Sequence, residues 1–225
     1  DALDGYRRIA PDLRGMGRSD APDLGYGMAT YAADLAALLD ALGVDEVVLC
    51  GLSMGGYVAL EFLRRWRERV RGLVLMDTRA EPDGAEGRRA RDVAAAMARE
   101  SGAGAIADAM LPKLLGAGTA ARAPEVAARV RRMITETPVP GIVGALSAMR
   151  DRPDSTGLLP TLGELPTLVV VGEEDVLTPP DAARRMAQAI PHARLTTLAG
   201  AGHLPPAECP SETTTALRDF LRTVG

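Results

Sequence analysis

Lysine is nearly absent: of 26 Lys and Arg residues only Lys113 is a lysine, and no Gly-Lys-Ser/Thr occurs, which excludes the phosphate-cradling NTPase loop. Cysteine is scarce too, with Cys50 and Cys209 too few for a disulfide framework. Cys50 lies in an apolar run, where a buried free thiol is expected, and a reducing, cytoplasmic setting fits such sparse cysteine. No excess of positive charge exists. The 26 basic and 30 acidic residues leave a formal charge of −4, which argues against a nucleic-acid partner. Long apolar runs are missing as well: the uncharged stretch Val47 to Leu60 has 14 residues and contains glycines, a serine and a tyrosine, short of the roughly 18 that would span a membrane. No His/Cys/Asp/Glu set has metal-ligand spacing, so neither a catalytic metal nor another cofactor is expected.

What is present is ordinary for a globular chain. With 225 residues, 47% hydrophobic and 25% charged, the sequence can bury one substantial core with an inserted subdomain. There is no basic-then-apolar leader, and the chain begins at Asp1 and not at Met, so it reads as processed, trimmed or internally started.

Hydrophobic patterning gives an α/β class. Tyr6 to Ala10 reads as a short strand that enters a turning loop, Pro11-Asp12-Leu13-Arg14-Gly15-Met16-Gly17-Arg18-Ser19. From Thr30, a plausible N-cap, Tyr31, Leu35, Leu38, Leu39 and Leu42 recur on one helical face until Gly43. Three short continuous apolar runs, Glu46 to Cys50, Gly72 to Met76 and Thr167 to Val171, have the pattern of parallel strands covered on both faces. Met54 to Val70 places Val58, Phe62, Leu63 and Trp66 on one helical side, which makes strand–helix–strand a βαβ unit. Residues 79–164 differ: rich in Ala, Arg and Gly, they offer helices near 86–100, 105–115, 125–136 and 140–150 and no good strand. They read as a helical cap inserted into a core formed by residues 1–78 and 165–225. The core pattern resumes after the cap with helix Pro180 to Ile190, strand Arg194 to Leu198 and a last helix from Ser211 to Val224.

The sharpest chemical signal is Gly51-Leu52-Ser53-Met54-Gly55, set between a strand and a helix. A residue there sits on a tight, strained turn, and glycines two positions either side let the chain approach itself closely. The serine projects into the open, and the amide of Met54 at the helix start can donate to an oxyanion. A serine needs a base, and only two histidines exist. His203, in Ala199-Gly200-Ala201-Gly202-His203-Leu204 beyond the last strand, can reach the carboxyl edge of the sheet, whereas His192 precedes that strand at the opposite edge and reads as a solvent-exposed loop residue. The imidazole needs a carboxylate, and Asp175 follows a strand at the same edge. Glu173 and Glu174 are adjacent alternatives, and Asp77, at the end of the strand before the cap, is a rival. The remaining features are plain: Met97, Met110, Met133 and Met149 read as packing residues, and Arg88, Arg89 and Arg91 as a wet helix face or a carboxylate-binding cluster.

The loop Asp12 to Ser19, the elbow Gly51-Leu52-Ser53-Met54-Gly55-Gly56, the turn Gly172-Glu173-Glu174-Asp175 and Gly202-His203-Leu204 together resemble the α/β-hydrolase superfamily, close to its 3-oxoadipate enol-lactonase-like esterases. The resemblance implies Ser53 as nucleophile, Asp175 as acid and His203 as base, with Met54 in the oxyanion hole and Leu52 and Met54 lining the substrate. It implies a small ester or lactone as substrate, with no cofactor. Two further enzymes share such a triad, a cofactor-free perhydrolase and a C–C bond hydrolase, and a non-catalytic ligand-binding homologue is the alternative from another class. The family also takes a second oxyanion donor from a loop upstream of the Asp12 segment, and a strand that lies between those represented by Tyr6 to Ala10 and Glu46 to Cys50; neither is found in this sequence. The expectation is an N-terminal truncation, with strand exchange in a homo-oligomer as the other route, and a loss of about 10²–10³ in rate for one missing donor.

Overall fold

The computed structural model describes residues 3–224, so Asp1, where the truncation reading is placed, lies outside the described residues. Its centre is a parallel sheet of β1 (Val47–Leu52), β2 (Val70–Met76), β3 (Thr167–Gly172) and β4 (Arg194–Leu198), hydrogen-bonded in that order. A period-two alternation assigns each strand to two layers at once. Leu73 and Leu75 of β2 and Val169 and Val171 of β3 enter one core, whereas Val74, Met76, Leu168 and Val170 enter the other. That double burial is why the strands read as continuous apolar runs.

The first face is covered by α1 (Met28–Ala41), α2 (Met54–Arg65) and α7 (Pro180–Ala189), which supply Tyr31, Leu39, Phe62, Leu63, Ala183 and Met186 to the core. Phe62 is fully buried and tilts against Trp66 at 5.2 Å, and burying a ring of that size stabilises the fold by about 1.5–3 kcal/mol. The second face receives Phe220 and Leu217 of α9 (Pro210–Leu221), which follows the short α8 (Pro205–Glu208). Between β2 and β3 the chain forms α3 (Ala85–Leu114), α4 (Thr119–Arg122), α5 (Pro124–Thr135) and α6 (Val139–Arg150). Gly102, at φ 76°, breaks α3 into two pieces, which explains the two separate helical patterns in the sequence. Ala98, Ile106 and Ile142 form a small core of their own there, with Met97 and Met110 packed on it; Met149 packs on the main core, and Met133 is exposed. Among the described residues no helix is long and apolar enough to cross a membrane.

Three expectations need correction. Tyr6 to Ala10 is not a strand. A strand exists only through its ladder, and the sheet ends at β1 with no described neighbour beside that segment. Cys50 is exposed, and β1, which carries it, is the edge strand of the described sheet. Finally, α1 starts at Met28, so Thr30 lies inside the first turn and Gly27 precedes the helix.

Candidate active site

All four strands end in one residue of a single cluster: Ser53 after β1, Asp77 after β2, Asp175 after β3 and the His203 loop after β4. The order is a consequence of a parallel sheet, whose carboxyl ends share one edge. Ser53 sits between β1 and α2 at φ 52°, outside the regions that residues with a Cβ favour. The strain is held from several sides. The Ser53 N–H donates to Met76 O (2.9 Å), and Ser53 O accepts from the Gly56 N–H (2.9 Å) and the Thr78 hydroxyl (2.8 Å).

The glycines of the motif do unequal work. A Cβ on Gly51 would lie 2.3 Å from Gly55 O and one on Gly56 would lie 2.4 Å from Thr78 Oγ1, so both positions exclude a side chain. Gly55 has open space around its Cβ position, so it leaves room beside Ser53 and is not forced by close backbone approach.

His203 is buried, at 3% exposure, and bridges the other two side chains. Its Nε2 lies 2.8 Å from Ser53 Oγ and its Nδ1 lies 2.9 Å from Asp175 Oδ2. Asp175 is fixed in turn by the N–H groups of Leu177 (2.8 Å) and Thr178 (3.1 Å) on Oδ1 and by the Thr178 hydroxyl on Oδ2 (2.5 Å). Burial alone would push this carboxyl up, but the bonds from His203 and Thr178 hold it down at about 2, so it is ionised beside the imidazole. With Nδ1–H committed to Asp175, Nε2 is left to accept the Ser53 proton. Met54 opens α2, so its N–H has no intrahelical acceptor and can donate to an oxyanion.

The structure thus brings together Ser53, His203, Asp175 and the Met54 amide. His192, Glu173 and Glu174 are placed elsewhere. His192 is exposed at φ 59°, 3.6 Å from Glu164. Glu173 accepts the Gly200 N–H (3.3 Å) and Glu174 the Ala117 N–H (2.7 Å), and neither is bonded to His203. Leu52 packs its side chain into the second core, and Met54 packs partly against the first. Arg91 pairs with Asp83 (3.0 Å) and Arg88 donates to the Asp83 carbonyl (3.1 Å), which ties both to a neighbouring turn. Two open grooves of about 840 and 520 Å³ run along residues 9–38 and between β4 and α9, and no residue of the cluster lines them.

Asp77 belongs to the cluster after all. One ligand atom each of Asp77, Asp175 and His203 lies within 4.8 Å of the others, a convergence that spacing along the chain does not reveal. As a metal site it is compromised, since Asp175 Oδ2 and His203 Nδ1 are bonded to each other. Asp77 is 1% exposed, at φ 43°, with Oδ1 accepting the Gly172 N–H (2.8 Å) and Oδ2 without a partner. Burial first, and the charge of Asp175 second, push its carboxyl up to about 9, so it is neutral near pH 7. Between pH 3.8 and about 9 folded Asp77 keeps a proton that the unfolded chain has released, and this group's contribution to stability falls as pH rises through that window. Asp175 acts in the opposite sense: it contributes stability above its ordinary 3.8, lost as pH falls toward about 2. Asp77→Asn should therefore flatten the decline in unfolding midpoint between roughly pH 5 and pH 8, measured by thermal denaturation. A slope equal to that of the parent would contradict the neutral, buried acid.

Sequence reasoning missed Thr178 and Thr78, which hold Asp175 and the Ser53 carbonyl. Asp175-x-x-Thr178 has the local spacing by which an Asp side chain captures amides two and three residues ahead, a signal that could have found it. Thr78 carries no such signal.

Comparison with known proteins identifies the family. Residues 1–208 match the family described as alpha/beta hydrolase fold. The chain belongs to the α/β-hydrolase family. A solved thermophilic esterase from Thermogutta terrifontis, with malate bound, is similar at 44% identity and a TM-score of 0.96, over 100% of this chain and 82% of that one. An enol-lactonase from Burkholderia xenovorans LB400 matches at 32% identity and a TM-score of 0.86, over 93% of this chain and 78% of that one. A Mycobacterium tuberculosis protein that carries a provisional non-heme bromoperoxidase name is 32% identical over 98% of this chain and 84% of its own length. This α/β hydrolase thus stands among esterases and lactonases, and hydrolase chemistry is its class.

Proposed function

We propose that this α/β hydrolase cleaves a small carboxylic ester or lactone through an acyl-enzyme on Ser53. The observation that carries the reading is the hydrogen-bonded chain Ser53 Oγ–His203 Nε2 (2.8 Å) and His203 Nδ1–Asp175 Oδ2 (2.9 Å). Ser53 Oγ attacks the carbonyl carbon while His203 Nε2 takes its proton, and Asp175 stabilises the imidazolium that forms. Negative charge gathers on the carbonyl oxygen, where the Met54 N–H donates. Collapse expels the alcohol, protonated by His203, and water activated by the same imidazole releases the acid and restores Ser53. Residues 79–164, between β2 and β3, act as a cap over that sheet edge and shape the acyl and alcohol pockets.

The bromoperoxidase-named relative favours a second reading, in which hydrogen peroxide replaces water in the last step and the acyl group leaves as a peracid. A panel of p-nitrophenyl esters and lactones, run with and without peroxide, tests both. Hydrolysis of short members is expected, and peracid release under peroxide supports the second acceptor. A folded protein that turns over no member of the panel contradicts the proposal.

A further inference from the structure

Glu208, the last residue of α8, plays no part in the proposed chemistry, yet its carboxylate accepts four hydrogen bonds sorted onto its two oxygens. Oε1 accepts the N–H groups of Gly202 (2.9 Å) and Leu204 (3.1 Å), the residues on either side of His203. Oε2 accepts the Gly116 N–H (2.7 Å), in the segment that joins α3 to α4, and the hydroxyl of Thr119 (2.6 Å), the first residue of α4. The two segments also touch directly. A Cβ on Gly202 would lie 2.4 Å from Gly116 N, and the His203 N–H donates to Leu114 O (3.0 Å). Glu174, beside Asp175, adds a bond to the Ala117 N–H (2.7 Å).

We propose that Glu208 is a positioning residue that seats the His203 loop and the α3–α4 connector as one unit, so that the imidazole reaches Ser53 only while this part of the helical insertion is docked. The inference rests on the Ser53–His203 reading given above. Its physical basis is the number of acceptors: a carboxylate has two oxygens able to serve both segments, whereas a glutamine has one oxygen and an NH₂ that faces two donors as a third. Glu208→Gln can hold the His203 loop or the connector, not both. Misplacing a base by about 1 Å costs on the order of 10²-fold in rate, without necessarily weakening substrate binding.

The test compares parent, Glu208→Gln and Thr119→Val in the full chain by three readouts: the rate at which a fluorophosphonate labels Ser53, kcat and KM on a p-nitrophenyl ester, and amide hydrogen exchange. Glu208→Gln is expected to slow labelling and kcat by about 10²-fold with KM changed less than about threefold. Exchange should quicken at residues 114–119 and 202–204, with α1 and α2 unaltered. Thr119→Val, which removes a single bond from the connector side, should slow labelling by a few-fold, and it decides the matter if the glutamine variant does not fold. Parental labelling rates in a folded Glu208→Gln, or in Thr119→Val, would overturn the inference. A parent that is never labelled would instead overturn the reading on which it rests.

Discussion

Turnover of p-nitrophenyl acetate is expected to fall by about 10⁴–10⁶-fold when Ser53 becomes alanine. The size follows from what the hydroxyl does: it is the atom that bonds to carbon, and the neighbouring groups serve it. Stability should move little, because alanine and serine share a Cβ and meet the same strain at φ 52°. The hydrogen bonds that fix the turn run through the Ser53 N–H and carbonyl and survive the change. The side chain loses one bond, to His203 Nε2. A matching thermal midpoint together with lost turnover separates a chemical role from a structural one. Turnover within tenfold of the parent would place the nucleophile elsewhere.

Asp175→Asn is expected to cost about 10⁴-fold in kcat, with a smaller change in KM. The asparagine oxygen can still accept from Leu177 and Thr178, so the loop keeps its shape. Its NH₂ then faces His203 Nδ1, which must accept, and the ring proton moves to Nε2, where it blocks acceptance from Ser53. Asp77 supplies the contrast. It lies in the same cluster, but its proton is retained near neutrality and it carries no negative charge to stabilise an imidazolium. Asp77→Asn should therefore change kcat by less than about tenfold. A loss in Asp77→Asn equal to that in Asp175→Asn, read from initial rates, would reverse the two assignments.

These contrasts mark what a sequence can disclose. The Ser53 turn was legible because strand, tight bend and helix start are local, and because Gly51 stands where a Cβ would meet Gly55 O. His203 and Asp175 were legible because parallel strands deliver their ends to one edge. Features made by contact between distant segments were not. Glu208 meets Gly116 from 92 positions away, and no spacing rule joins them. The exposure of Cys50 depends on which strand lies at the sheet edge, and whether Tyr6 to Ala10 forms a strand depends on a pairing neighbour, which the described residues do not supply, and not on its composition alone. Gly55 and Gly56 look alike in sequence, yet only Gly56 faces a side chain, that of Thr78.

In the proposed chemistry Ser53 alone carries the reactive oxygen, and His203 activates it. Treatment with a fluorophosphonate, followed by mapping of the adduct by peptide mass spectrometry, is the decisive measurement. One adduct is expected, on the peptide containing Ser53, absent from Ser53→Ala and far slower to form in His203→Ala. An adduct on another residue, or one that forms at an undiminished rate without His203, would rule out a His203-activated Ser53.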